Sequence, residues 1–441
     1  MRNLITKFAL VAALVTLVPA AAFASDARVQ SLGLQGDYIQ DYTNVYAYPS
    51  SIVRYQNLVY GNLGNKDVSG GDLPDFQDNA GSNALDNSGR SMGVYHTMQW
   101  LPGTWGIQIN ENRNAISQAY GPSSFDRNRN EGVTLLWGSK LGGGSVGFAV
   151  DKASSTVKSG TTTVSPYTWS PASLTISGNN ARQVMNAVNA SLGAEDRNSW
   201  GAAGGLSFNW NAYGREHTGD IAVHYRNNTL KVEDTSTQQL LEDNGNTDFS
   251  VNARVQMAVS DNSYLTPVFN WYTMDRGSKF TDGVTPANNT NYDNSVKGLQ
   301  FGVAESWVMR ESDLLVLGVS LNHESVDYAD PGVAGDPFKV TYNTTPSVFG
   351  ALEVHPASWF HVRMGAGKPV WSKLEIENKT TNVVATVKDS PIQYALGAGF
   401  RLGNRLDIDA TLNQDFAFTG AWFGSGKSEV PFSNLSMTYR F

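Results

Sequence analysis

Among the 441 residues there is no cysteine. That excludes a disulfide framework, a thiolate metal site and a cysteine nucleophile. After residue 25 there is no apolar run of ~18 residues or more, so no helix can span a bilayer. Apolar residues spaced at the helical period are also scarce there. Basic charge is in short supply, with 32 Lys and Arg against 40 Asp and Glu. Nucleic-acid binding needs clustered positive charge, so that partner class is set aside. Catalytic signatures are missing as well. The histidines are His96, His217, His224, His323, His355 and His361. None has a neighbouring G-x-S-x-G or metal-ligand spacing such as H-E-x-x-H. No D-x-D-x-D-G loop occurs in the Asn/Asp-rich stretches. The expectation is no reaction, no metal and no cofactor.

What is present begins with a leader. Arg2 and Lys7 precede an apolar run from Phe8 to Phe23, which closes on Ala22-Phe23-Ala24. A basic start, an apolar core and an A-x-A-like end predict a secretory signal over residues 1–24. Removing it takes away two basic residues and no acidic one, so 30 cations face 40 anions and the balance is −10. Period-two alternation then runs through the rest. Phe249, Val251, Ala253, Val255 and Met257 alternate with Ser250, Asn252, Arg254 and Gln256. Leu315, Leu317, Val319 and Leu321 alternate with Gly318, Ser320 and Asn322. The final strand repeats the pattern with Leu435, Met437, Tyr439 and Phe441. Each such strand has one lipid-compatible face and one wet face.

The connections fall into two alternating populations. Short ones carry turn residues, as at 101–103, 142–144, 211–215, 260–262, 310–312, 355–357 and 403–404. Long polar ones lie near 61–90, 112–130, 153–198, 231–246, 275–293, 325–339, 369–390 and 414–430. A soluble sandwich has no reason to sort its loops by length. A secreted chain with this sorting and an alternating terminal strand ending in Phe resembles a Gram-negative outer-membrane β-barrel of the porin type. The resemblance implies that Tyr439 and Phe441 form the signal read by the barrel-assembly machinery. It also implies outer-membrane lipid and lipopolysaccharide as surroundings, and a possible homotrimer.

The fold expected is all-β, a transmembrane antiparallel barrel of about sixteen strands (14–18), with short periplasmic turns and long extracellular loops. One strand is placed near 51–60, which makes the number even. Aromatic side chains gather near the short turns: Trp100, Trp105, Tyr264, Trp307, Trp359, Tyr439 and Phe441. Such rings suit the headgroup level. A barrel of this size leaves a lumen. The residues expected to face it are polar or small, including Ser145, Gly147, Ala149, Ser207 and Gln300. Charged candidates for the pore lining are Lys140, Arg254, Arg363, Arg401, Asp220, Glu353, Asp407 and Asp409. Counting back from a three-residue turn at 403–405 puts Arg401 opposite Asp407, a pair rather than a free field. The same counting puts Arg254 opposite Val268 and makes it the candidate for an exposed pore charge, unless a neighbouring strand or an inward-folded loop neutralises it. It also puts His361 opposite Glu353. The 153–198 loop is the longest and is expected to fold inward.

Residues 27–60 read poorly as a membrane strand. Leu32-Gly33-Leu34-Gln35-Gly36-Asp37-Tyr38 and Asp41 to Ser50 resemble the amino-terminal part of FadL-type transporters of hydrophobic molecules. In that family the region forms a hatch, with Asn-Pro-Ala where this chain has Tyr48-Pro49-Ser50. Residues 25–50 are therefore a periplasmic lead-in or a lumen plug, and residues 51–441 the barrel. The leading functional expectation is a porin-like passive channel for small hydrophilic solutes. The alternatives are a plugged FadL-type transporter and a surface adhesin or structural barrel.

Overall fold

The computed structural model of the chain describes residues 26–34, 36–63, 91–98, 100–110, 131–157, 194–234, 239–243, 245–275, 277–286, 290–292, 295–310, 312–329, 337–390, 392–412 and 432–441. The expected signal and most of the 61–90, 112–130, 153–198 and 414–430 loops lie outside these residues, and with them the inward-folding loop. The described strands are β1 (Leu58–Asn62), β2 (Ser91–Thr97), β3 (Thr104–Asn110), β4 (Glu131–Leu141), β5 (Gly144–Val157), β6 (Ala194–Ala212) and β7 (Arg215–Asp234). Then come β8 (Gln239–Asp243), β9 (Asn246–Ala258), β10 (Ser263–Asp275), β11 (Ser278–Asp282), β12 (Thr290–Tyr292), β13 (Ser295–Met309) and β14 (Asp313–Ala329). The last are β15 (Pro337–Ala357), β16 (Phe360–Pro369), β17 (Ser372–Asn378), β18 (Val383–Asp389), β19 (Gln393–Leu402), β20 (Leu406–Leu412) and β21 (Phe432–Arg440).

Sixteen of these form one closed antiparallel ring. Strands β1 to β7 pair in sequence, then β7 with β9, β9 with β10 and β10 with β13. The ring continues through β14, β15, β16, β19, β20 and β21, and β21 pairs back with β1. Closure removes every unpaired edge, which is the condition for a sheet to live in lipid. The other five strands, β8, β11, β12, β17 and β18, continue the wall at the long-loop end. The extension expected at 383–387 is β18.

Side-chain periodicity dictates the two surfaces. On β9 the even residues Asn246 to Gln256 are buried inward, and Phe249, Val251 and Val255 point out. On β14 and β13, Leu317, Leu321, Leu299 and Phe301 are exposed on the outside. A soluble protein would bury them; a bilayer accounts for their exposure. Trp100, Trp105, Tyr264, Trp359, Tyr439 and Phe441 are exposed near the short turns. The closed ring, its apolar outer face and its sorted turns make this an outer-membrane β-barrel.

Three placements differ from the sequence reading. The first strand starts at Leu58, and Pro49–Arg54 is a 3-10 helix instead. The proline ring fixes φ and has no N–H to give a ladder, so a turn wins there. The 355–357 turn is part of β15, which runs to Ala357. The hairpin turns at 358–359 instead, and this, with a register shift between Val354 and Ala357, sets Glu353 opposite Arg363 rather than His361. A bulge adds a residue to one strand and breaks simple counting.

Residues 26–55 lie inside the barrel. They comprise α1 (Asp26–Ser31), a 3-10 turn at Gly36–Tyr38, α2 (Asn44–Ala47) and the 3-10 helix Pro49–Arg54. Two apolar clusters bind this segment to the wall. Val29, Leu32, Leu34, Tyr38 and Ile39 pack on Val268, Ala304, Val316 and Ala351. Tyr42, Val45, Ile52 and Tyr55 pack on Tyr60, Tyr95, Leu136 and Ala149. Helices this short are marginal alone in water, so the wall holds them.

Candidate functional site

The site is the contact between this plug and the inner wall. It lies in the half of the barrel nearer the short turns, where β5, β7, β9, β15 and β16 carry Gly147, Asp220, Arg254, Glu353 and Arg363. Inward glycines let two backbones touch. A Cβ on Gly365 would lie 1.8 Å from Leu32 O, and one on Gly147 would lie 2.4 Å from the Pro49 carbonyl. Any side chain at either position must push the plug away. Polar wall groups then serve the plug's unpaired backbone. Ser436 Oγ accepts from Ala27 N at 3.1 Å, and Thr411 Oγ1 donates to Ala27 O at 2.9 Å. Ser145 Oγ donates to Ser50 O at 3.1 Å. The His224 ring nitrogen Nε2 donates to Ala47 O at 2.9 Å. Buried carbonyls left without such partners would be costly.

Two ion-pair networks sit at opposite ends of the plug. At its start, Arg28 reaches both oxygens of Glu353, at 2.6 and 3.0 Å. Arg363 donates to the same carboxylate from Nε and to Asp409 Oδ1 at 2.6 Å from Nη1. The set of Arg28, Arg363, Glu353 and Asp409 is neutral and buried. Burial alone would lower the Arg28 pKa, but the facing Glu353 reverses this and holds it above its ordinary value. Paired fork geometry of this kind is the strong form of such a bond.

At the plug's far end, Arg54 grips Asp220 at 2.8 and 3.2 Å. Arg254 Nε donates to Oδ2 of the same carboxylate at 2.8 Å. Its Nη1 donates to Asp37 O at 3.2 Å, Ile39 O at 3.1 Å and Asn44 Oδ1 at 2.9 Å. The guanidinium also lies over the Tyr48 ring, 4.8 Å from its centroid. Asn270 Nδ2 donates to Asp37 Oδ2 at 3.0 Å. Burial pushes the Asp37 carboxyl above its usual range, against the lowering pull of Arg254, Asn270 and Tyr48.

The residues expected to line the pore are thus divided. Arg254, Asp220, Glu353, Arg363 and Asp409 do face inward, but they are buried against the plug and each other. Arg254 is not an exposed pore charge: Asp220 stands beside it on β7. Arg401 pairs with Asp407 at 2.8 Å in the expected register, with Arg440 3.5 Å from the second oxygen. This trio stays at the periplasmic rim. Lys140 is exposed at the end of β4 and joins neither network. The partners that sequence reading missed are Arg28 and Arg54. Their signal was two arginines in a stretch that reads badly as strand.

No family model matches this chain, and no curated protein matches it. Solved structures give loose likenesses. The toluene transporter TodX of Pseudomonas putida aligns over 94% of this chain and 96% of its own, at 8% identity and a TM-score of 0.37. The siderophore receptor PiuA of Acinetobacter baumannii aligns over 69% of this chain at 9% identity and TM-score 0.40. The copper transporter OprC aligns over 74% at 11% identity and TM-score 0.40. This chain spans 53% and 52% of the length of the last two.

Proposed function

We propose that this protein is a plugged outer-membrane transporter, closed at rest, rather than an open porin. The observation that carries the reading is the double anchoring of residues 26–55 in the lumen by Glu353 and Asp220. A freely conducting pore has no use for buried, charge-matched seats under a segment that fills it. Passage then requires the plug to shift. The surface so uncovered would be mixed. Val268, Val316 and Ala351 form an apolar patch, and the Asp220–Arg254 and Arg363–Asp409 pairs flank it. Such a lining suits small amphiphiles, with an apolar body and a polar end, better than simple sugars or ions.

Planar-bilayer conductance of the mature protein, with and without residues 26–55, tests this. The intact protein is expected to be silent and the truncated one to conduct in large steps. Large stable steps from the intact protein would overturn the closed state and restore the open hydrophilic channel. If truncation conducts, liposome uptake of a monounsaturated fatty acid against a disaccharide separates the solute classes.

A further inference from the structure

Opposite Lys373 on β17 stands Lys388 on β18, a directly facing pair of like charges on the outer face of the sheet. Like charges in that position destabilise a sheet unless an anion lies between or beside them. They belong to one cross-strand row. It runs from Trp271 on β10 through Leu299, His323 and Asn343 to Lys373 and Lys388. Trp271 and Leu299 are exposed in the apolar belt. Barrel strands tilt by about 35–45°, so a row across them climbs relative to the bilayer. This row therefore leaves the hydrocarbon and enters the headgroup layer at His323 and the lysines.

Among the described residues, carboxylates on this face are fewer at this level than just above it. Lys297 and Lys368 are exposed on the same outward face, beside Ser325 and Val348. With Lys373 and Lys388 they make four cations. Against them stands Glu375, whose Oε1 accepts from Lys373 Nζ at 2.7 Å. One row higher the charges are matched: Lys379 holds Asp327 at 2.6 Å, and Lys339 faces Glu377. His323 Nδ1 donates to Asn343 Oδ1 beside them.

We infer that this outward ladder, Lys388, Lys373, Lys368, Lys297 and His323, docks the phosphate-bearing headgroup of a lipid in the outer leaflet. The ladder is continuous with the lipid-facing belt, so the occupant's acyl chains have the exposed Leu299 and Leu321 side chains to lie on. Its phosphate supplies the negative charge by which Glu375 alone falls short of the four lysines.

The test uses the full mature protein in nanodiscs of phosphatidylcholine, with or without lipid A, and compares wild type with Lys373→Gln/Lys388→Gln. Lys152→Gln, on the outer face of β5 at the opposite wall, is the control. Native mass spectrometry is expected to find lipid A retained by wild type and the control, and at least tenfold less by the double variant. Lipid A is expected to raise the melting temperature of wild type and the control but not of the double variant. In phosphatidylcholine alone the double variant is expected to melt no lower than wild type, because the like-charge pair is gone. Equal retention by wild type and the double variant would overturn the inference. So would an equal stabilisation by inorganic phosphate, which would mark a free-anion site.

Discussion

The two anchors of the plug use the same parts differently. At the start of the plug, Arg28 enters a sealed network in which Glu353 serves two guanidinium groups and every charge is buried. At the far end, Arg54 keeps 21% of its side chain exposed, and Asp220 is shared with a wall arginine that also binds backbone carbonyls. A sealed network cannot turn to water for a lost partner. A wet one can turn to solvent. The first anchor should therefore act as an all-or-none latch and the second as a graded one.

Removing the shared carboxylate should separate them most. Glu353→Ala removes both bonds that the buried Arg28 makes to this carboxylate and is expected to cost about 3–5 kcal/mol. Arg28 is buried in the native barrel, so the appearance of tryptic cleavage there reads the release. The next effect is steric. Gly365→Ala places a methyl on Leu32 O and should cost roughly 2–3 kcal/mol, while Gly147→Ala should cost less, since its clash is milder. Channel opening in bilayers is the measure, and equal opening by the two would break the comparison. Asp220→Asn is expected to cost about 1–2 kcal/mol, because Arg54 can reach water and Arg254 keeps Asn44 and its carbonyls. Denaturant midpoints for cleavage at Arg54 would check it.

A smaller change concerns β1. Tyr42→Phe removes the donor to Asn62 Oδ1 at 3.3 Å, a loss of about 1 kcal/mol or less, visible in melting but not in conductance. The last prediction is a pH dependence. The Asp37 carboxyl has its pKa raised by burial, so the seated state favours its protonated form. Its contribution is fully present below the ordinary value of 3.8 and is lost as pH rises through the raised one. Asp37→Asn should flatten that part of the profile of plug protection against pH. An unchanged slope would remove Asp37 from the second anchor.

Much of the barrel was legible because its signals are local. Alternation on β9, β14 and β21 needs only a few neighbouring residues, and loop length sorts itself along the chain. The Arg401–Asp407 pair followed from one turn length. The site was legible only in half. Inward parity identified Glu353 and Asp220, but their partners Arg28 and Arg54 are 325 and 166 positions away, and no periodicity links them. Register counting also failed where the sheet is irregular. The turn at 358–359, later than counted, and the shift after Val354 put Arg363, not His361, opposite Glu353. Proline likewise displaced the first strand, since Pro49 opens a turn that sequence reading merged with β1.

Arg254 grips residues 37 and 39 by their carbonyl oxygens, which every amino acid supplies. Gly365 and Gly147 likewise accommodate main chain rather than side chain. The lumen thus reads the path of the plug more than its spelling. Over generations such a loop can exchange many of its letters and still shut the same door, so kinship between such closures would be easier to find in shape than in words.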